Sequence, residues 1–132
     1  MPPLQPQDRL QRISRQDGPQ VRRLVGHWVP QLAALAPGAG GDRSWSDVLS
    51  HYRRLKAAYP SALLLDTGRW PHSYELGGFY AVLIPRGAAS SRPALSWCRA
   101  HVADTPRDCA AKLIDTRGSW ADNFDTGRPG PG

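Results

Sequence analysis

Between Ser44 and Pro60 the residues Trp45, Val48, Leu49, Tyr52, Leu55 and Tyr59 recur at intervals of three and four, the spacing that lines one side of a helix with apolar groups. Ser44 stands at the cap position, Asp47 follows three residues later to accept from the first turn, and Pro60 stops the helix. The apolar runs on either side are only strand length. A helix between strands must connect them across a sheet, and this constrains the fold more than any other feature of the chain.

Upstream, Leu24 to Leu35 carries Val25, Trp28, Val29 and Leu32 and ends in a Gly-rich loop, Pro37-Gly38-Ala39-Gly40-Gly41. This composition predicts a first strand. Pro30 conflicts with it, because proline cannot donate to a ladder and is confined to edges or bulges. A bulge there would re-aim the side chains of Trp28 and Gln31. Downstream, Ala62 to Thr67 contains Leu63-Leu64-Leu65 and closes on Asp66-Thr67-Gly68, so it reads as a strand buried on both faces. Arg69-Trp70-Pro71-His72-Ser73-Tyr74 forms an aromatic loop before Gly77-Gly78, and Phe79 to Ile84 is a third strand ended by Pro85-Arg86-Gly87. These two strands make a hairpin with a long aromatic tip. Ser91 to Val102 opens with a serine cap and Pro93 in its first turn, then sets Ala94, Leu95, Trp97, Cys98 and Val102 along a second helix. Ala110 to Asp115 is the final strand.

The order strand, helix, two strands, helix, strand predicts an α/β (α+β) fold. In it a split βαβ, ferredoxin-like single sheet carries two helices packed on one face. The other sheet face is left free for a ligand. The chain has 132 residues, the length of one domain with a modest core. Residues 24–115 form that domain. Residues 1–23 read as a flexible Pro/Gln/Arg-rich lead-in. Within it, Leu10 and Ile13 with Arg9, Arg12 and Arg15 could form one amphipathic turn, but two apolar residues bury too little to hold it. Residues 116–132 read as a Gly/Pro-rich tail that only Trp120 and Phe124 could anchor.

Net charge is +6, and 15 of the 17 basic residues are arginine. Such a balance favours acidic polymers: nucleic acid, anionic lipid or anionic wall polymer. The basic residues are spread along the chain, with clusters only at Arg22-Arg23 and Arg53-Arg54-x-Lys56, so solubility alone also accounts for them. No stretch is apolar for long enough to insert into a membrane. Taken as complete, the chain has no signal peptide and would be cytoplasmic. The lead-in also resembles the linker that follows a membrane anchor.

Five blocks carry a family resemblance: Trp28-Val29-Pro30-Gln31-Leu32; His51-Tyr52-Arg53-Arg54-Leu55-Lys56-x-x-Tyr59-Pro60; Leu64-Leu65-Asp66-Thr67-Gly68-Arg69-Trp70; Phe79-Tyr80; and Trp97-Cys98 with Cys109-x-Ala111-Lys112. In this order and spacing they resemble an actinobacterial domain of secreted or membrane-tethered proteins. That domain is itself similar to the SPOR (sporulation-related repeat) module. The resemblance implies a small α/β module in the cell envelope that binds peptidoglycan glycan strands lacking stem peptides. It also has a departure. Where the actinobacterial pattern continues with Ser and Lys after Gln-Leu, this chain has Ala33-Ala34-Leu35 and a Gly-rich loop, which puts the ligand contacts of that loop in doubt.

Sugar rings present apolar C–H faces that pack on aromatic rings, while amides and arginine bond the hydroxyls. Trp28, Gln31, Arg69, Trp70, Tyr74 and Tyr80 have the right types and are the candidate ligand-binding residues. A tryptophan in a small domain usually fills core, and Trp45 and Trp97, on apolar helical stripes, read that way. Cys98 and Cys109 could bridge if the turn between them doubles back, closing a loop worth roughly 3 kcal/mol and implying an oxidising compartment. Two buried, reduced thiols are the alternative. Cys98-x-x-His101 with Cys109 offers three zinc ligands but lacks a fourth, so no metal and no cofactor is expected.

The four histidines fall in four different elements, and no nucleophile motif is present. Asp66 and His72 could pair across the hairpin as acid and base, as many random pairs could. Gly38 to Gly41 lacks the Lys-Ser/Thr ending of a phosphate loop. A non-enzymatic binding module is therefore expected. The main alternative is a single-stranded nucleic-acid module of the RNA-recognition type, with Gly77-Gly78-Phe79-Tyr80-Ala81-Val82 as a loose echo of its aromatic strand. A protein-interaction or sensor domain with a protein partner is the third reading.

Overall fold

The computed structural model describes residues 4–39, 41–102 and 109–126. Among them are α1 (Pro6–Arg22), β1 (Trp28–Leu35), α2 (Trp45–Ala58), β2 (Leu63–Asp66), β3 (Tyr80–Leu83), α3 (Ser91–His101), β4 (Ala110–Leu113) and β5 (Phe124–Asp125). The strands form one open sheet in the order β2-β3-β1-β4-β5, with every neighbouring pair antiparallel. Strands β1 and β2, joined through α2, leave a gap that β3 fills. Strands β3 and β4, joined through α3, flank β1 in the same way. The fold is α+β, as the order of periodicities predicts.

The expected cap of α2 is present: Ser44 Oγ accepts the Asp47 N–H, and Asp47 Oδ2 accepts the Arg43 N–H. At α3 the cap residue is Ser90, whose side chain makes no cap bond; the Ser91 hydroxyl instead donates to the Asp125 carboxylate at 2.6 Å. That bond fastens β5 to α3.

Pro30 lies in a central strand rather than at an edge, and the backbone accounts for it. Opposite Ala111 of β4, it turns its nitrogen and carbonyl toward β3, where the carbonyl accepts the Ile84 N–H just past the end of that strand. The Ile84 carbonyl, with no N–H from proline to meet, accepts the Arg86 N–H at 2.8 Å. The bulge follows directly. Gln31 faces Leu83 and Ala33 faces Val82, so Leu32 is the extra residue. Without it Leu32 and Leu35 would point to opposite sheet faces; with it both join the same buried cluster.

That first cluster lies under α2 and α3. Val48, Leu49 and Tyr52 of α2 and Cys98 of α3 meet Leu32, Leu35, Leu64, Tyr80, Val82 and Cys109. Trp45 packs edge-on against Tyr80 with ring centroids 5.8 Å apart, and Trp97 lies between Tyr59 and His101. Both tryptophans are partly buried and pack against this cluster, on the side their helical spacing predicts. Cys98 and Cys109 are joined in a disulfide, which ties α3 to the start of β4. Residues 103–108, where the intervening turn was expected, lie outside the described residues.

The segment expected to be a flexible lead-in, 1–23, departs from that expectation in its described part: residues 6–22 form a 17-residue helix, and residues 1–3 lie outside the described residues. Its two ends are buried in different places. Leu10 belongs to the cluster under α2, whereas Val21 joins a second cluster on the opposite sheet face with Leu24, Val29, Leu63, Leu65, Ala81, Leu83 and Ile114. The helix therefore lies along the edge strand β2, and Asp17 Oδ2 accepts the otherwise unpaired Leu64 N–H at 2.9 Å. Gly18 and Pro19 sit inside this helix.

The second cluster also corrects the expectation of a free sheet face. The long connection between β2 and β3 folds back over it and brings Trp70 and Tyr74 onto the buried residues. Thr67 closes the base of that connection, its N–H and hydroxyl both donating to the Phe79 carbonyl. At the neck two backbones nearly touch: a Cβ on Gly77 would lie 3.2 Å from the Gly68 Cα, so any larger residue there has to push the Gly68 backbone aside by a few tenths of an ångström. The tail returns as well, with a helical turn at Trp120–Asp122 and β5 paired to β4. Residues 127–132 of the expected tail lie outside the described residues.

Candidate functional site

The loop at 67–79 divides this sheet face into two concave regions. On one side of it a cavity of about 1000 Å³ is bounded by α1, β2 and the loop, with Arg15, Arg22, Arg69, Trp70 and His72 in its wall. Two carboxylates share the wall, and both are engaged. Asp66 accepts the Gly68 N–H and faces Arg69 Nε at 3.9 Å, while Asp115 accepts the Arg117 N–H. His72 Nδ1 meets the Gly118 carbonyl. Asp66 and His72 thus have other partners and do not form the acid–base pair their spacing allowed.

On the other side is a groove of about 350 Å³ with a different chemistry. Its floor is the sheet itself: Gln31 and Ala34 from β1 and Lys112 from β4. Tyr74, Leu76, Trp120 and Phe124 wall it. Three of these four groups are exposed, Leu76 by 62%, Phe124 by 44% and Trp120 by 42%, and the one other exposed large hydrophobic among the described residues is Leu4. Exposed apolar groups converging on one concavity mark a contact surface.

Lys112 is the unusual member. It occupies an alternating strand position between Ala111 and Leu113, and it is only 4% exposed. Its Nζ lies 4.3 Å from the centre of the Tyr74 ring and 5.2 Å from that of Phe124, both within cation–π range. Among the described residues no carboxylate forms an ion pair with it. Desolvation by burial pushes its amine down to about 8. The neighbouring polar groups are already committed to each other: the Tyr74 hydroxyl donates to Gln31 Oε1 at 2.8 Å, and burial raises the Tyr74 phenol.

The loop that forms the groove wall is held by side chains. Ser73 is fully buried; its hydroxyl donates toward the Leu113 and Asp115 carbonyls and accepts the Asp115 N–H at 2.8 Å. Asn123 Nδ2 donates to the His72 carbonyl at 2.7 Å, and the Asn123 carbonyl accepts the Leu113 N–H. Loop, β4 and tail form one hydrogen-bonded unit around Lys112.

Of the residues the sequence singles out, Gln31 and Tyr74 meet in the groove, and Arg69 and Trp70 stand in the larger cavity. Trp28 and Tyr80 are elsewhere. Tyr80 is buried against Trp45 under the helices, where desolvation pushes its phenol up to about 12. Trp28 alternates with Val29 and so points to the same helix-covered side; its backbone bridges to Ala88. Lys112, Leu76, Trp120 and Phe124 were missed as site residues. The signal for Lys112 was present: one of only two lysines, in the middle of the strand-length run Ala110 to Ile114. Cys98 and Cys109 are spent on their disulfide and cannot ligate zinc, and no cluster of potential metal ligands occurs among the described residues. No helix among the described residues is long and apolar enough to cross a membrane.

No family model, no curated protein and no solved structure matches this chain.

Proposed function

We propose that the protein is a non-enzymatic binding module that takes a cell-wall glycan strand in the groove over Gln31, Tyr74 and Lys112. One observation carries this reading: exposed aromatic and apolar side chains converge on a concavity whose floor holds buried polar groups. Rings such as Trp120 and Phe124 suit the C–H faces of sugars, and a few fixed polar groups suit their hydroxyls. The resemblance of the sequence blocks to SPOR-like domains points the same way. The Cys98–Cys109 bridge supports an oxidising, extracytoplasmic setting, since disulfides persist there and are rare in the cytosol.

The nucleic-acid reading loses its main support in the position of Tyr80. An RNA-recognition module stacks bases on aromatics of the open sheet face, whereas Tyr80 lies under α2 and the opposite-facing β3 residues are the buried Ala81 and Leu83.

Co-sedimentation with insoluble peptidoglycan sacculi, before and after amidase removal of stem peptides, tests the proposal. Retention is expected on the stripped sacculi at moderate salt, with a loss of about ten-fold or more when Trp120 and Phe124 are both changed to alanine. Absence of retention, or binding to single-stranded oligonucleotides that falls steeply with salt, would overturn it.

A further inference from the structure

We infer that Lys112 is the receptor for a carboxylate, so that the groove selects glycan strands carrying free acid groups over neutral ones. The inference rests on the glycan reading and names the part of the ligand that Lys112 would meet. A lysine buried to 4% exposure normally has a carboxylate partner, because an unpaired buried charge is costly. Among the described residues Lys112 has the faces of Tyr74 and Phe124 and no carboxylate. Those rings hold the Nζ in place without neutralising it. Glu75 is the one acidic residue in the groove wall; it is exposed and forms no ion pair with Lys112 among the described contacts. Asp125, next to Phe124 on β5, is bonded by Ser91 on the other side of the strand. The groove thus supplies a cation and lacks the anion, and an incoming carboxylate completes the pair.

The ligand class follows from chemistry. Removing the stem peptide from a muramic-acid residue frees its lactyl carboxylate, so a stripped strand presents acid groups beside apolar ring faces. Charge complements Lys112, and the ring faces complement Trp120, Leu76 and Phe124. A chitin oligomer offers the same N-acetylated rings with no acid.

Binding of the whole protein to three probes separates the possibilities: amidase-stripped glycan strands, the same strands with their carboxylates methyl-esterified, and a chitin oligomer. The free-acid strand is expected to bind about ten-fold tighter than its ester, the discrimination of one charge-assisted hydrogen bond. Lys112→Met should bind both strands alike, at the affinity of the wild type for the ester. If the wild-type protein binds acid and ester equally, the carboxylate inference fails while the glycan reading stands. If it binds none of the three, the glycan reading itself fails.

Discussion

The two faces of this sheet are buried by opposite means. Under α2 and α3 the contacts are almost all carbon, Leu64, Val82 and Ile84 against Val48, Leu49 and Tyr52, with a disulfide at one end. On the other face the cover is a loop, a tail and the end of a helix, and the buried polar residues Gln31, Thr67, Ser73, Lys112 and Asn123 gather there. Two helices present continuous apolar stripes and, with Leu10 of α1 at one edge, seal a face with carbon alone. A loop cannot, because its backbone groups need partners, and side chains such as Ser73 and Asn123 supply them. The helix-covered face therefore fixes the fold, while the loop-covered face can spend buried positions on groups that cost stability.

The largest expected effect tests the first half of this contrast. Leu64 is fully buried under the helices, and Leu64→Ala should destabilise the protein by about 2–5 kcal/mol in chemical denaturation, through lost transfer energy and the cavity left behind. Leu76→Ala, on the rim of the groove, should change stability by under about 0.5 kcal/mol. Equal costs at the two positions would mean that the helix-covered face is not the one that holds the fold.

The next effect has the opposite sign. The Lys112 amine titrates near 8 in the folded protein against 10.5 for an exposed lysine. Between these values the unfolded chain is protonated and the folded one is not, so stability rises with pH across that window. Below pH 8 both states are protonated, and the full penalty, roughly 3 kcal/mol, is present. Lys112→Met should therefore raise stability at pH 7 by about 1–3 kcal/mol, and the rise between pH 8 and 10 should disappear. Denaturation midpoints of both proteins at pH 7, 8, 9 and 10 measure it. A less stable methionine variant would show that the lysine pays its way structurally and would remove the reason to assign it a ligand.

The helix-covered face was legible in the sequence and the other face was not. Trp45 to Tyr59 and Ala94 to Val102 repeat with a helical period, and the strand runs between them are short, so those elements and their order follow from local pattern. The bulge after Gln31 was foreshadowed by Pro30. What could not be read was cover supplied by weakly apolar segments. In α1 only Leu10, Ile13 and Val21 are apolar, and Gly18-Pro19 argues for a break; its helix depends on contacts with β2, distant in sequence, at both ends and through Asp17. Trp120 and Phe124 lie in a Gly-rich stretch with no period at all, and their place in the groove is set by the pairing of β5 with β4 and by Asn123. Composition reads such segments as loose because it counts apolar residues and cannot see a side chain that satisfies another element's backbone.

A smaller effect sharpens the second half of the contrast. Ser73→Ala removes the hydroxyl that joins the loop to β4 and leaves the Asp115 N–H without its acceptor in a part-buried place. The expected cost is about 1–3 kcal/mol, together with weaker ligand binding, because Tyr74 follows Ser73 directly into the groove wall. The same substitution at Ser50, exposed on α2, should be nearly silent.

The smallest effect concerns the edge where the two faces meet. Asp17 is the point at which α1 meets the backbone of β2, and its carboxylate takes a strand N–H that would otherwise face an open edge. Asp17→Ala should cost about 1 kcal/mol and speed hydrogen exchange at the Leu64 amide, whereas Asp17→Asn, which keeps an acceptor oxygen, should restore most of the protection. Exchange at Val82, paired with Leu64 in the middle of the sheet, should change little. If Leu64 and Val82 lost protection together, α1 would be part of the global folding unit rather than a cover laid on its edge. The polar face would then depend on the helix for its fold as well as for its wall.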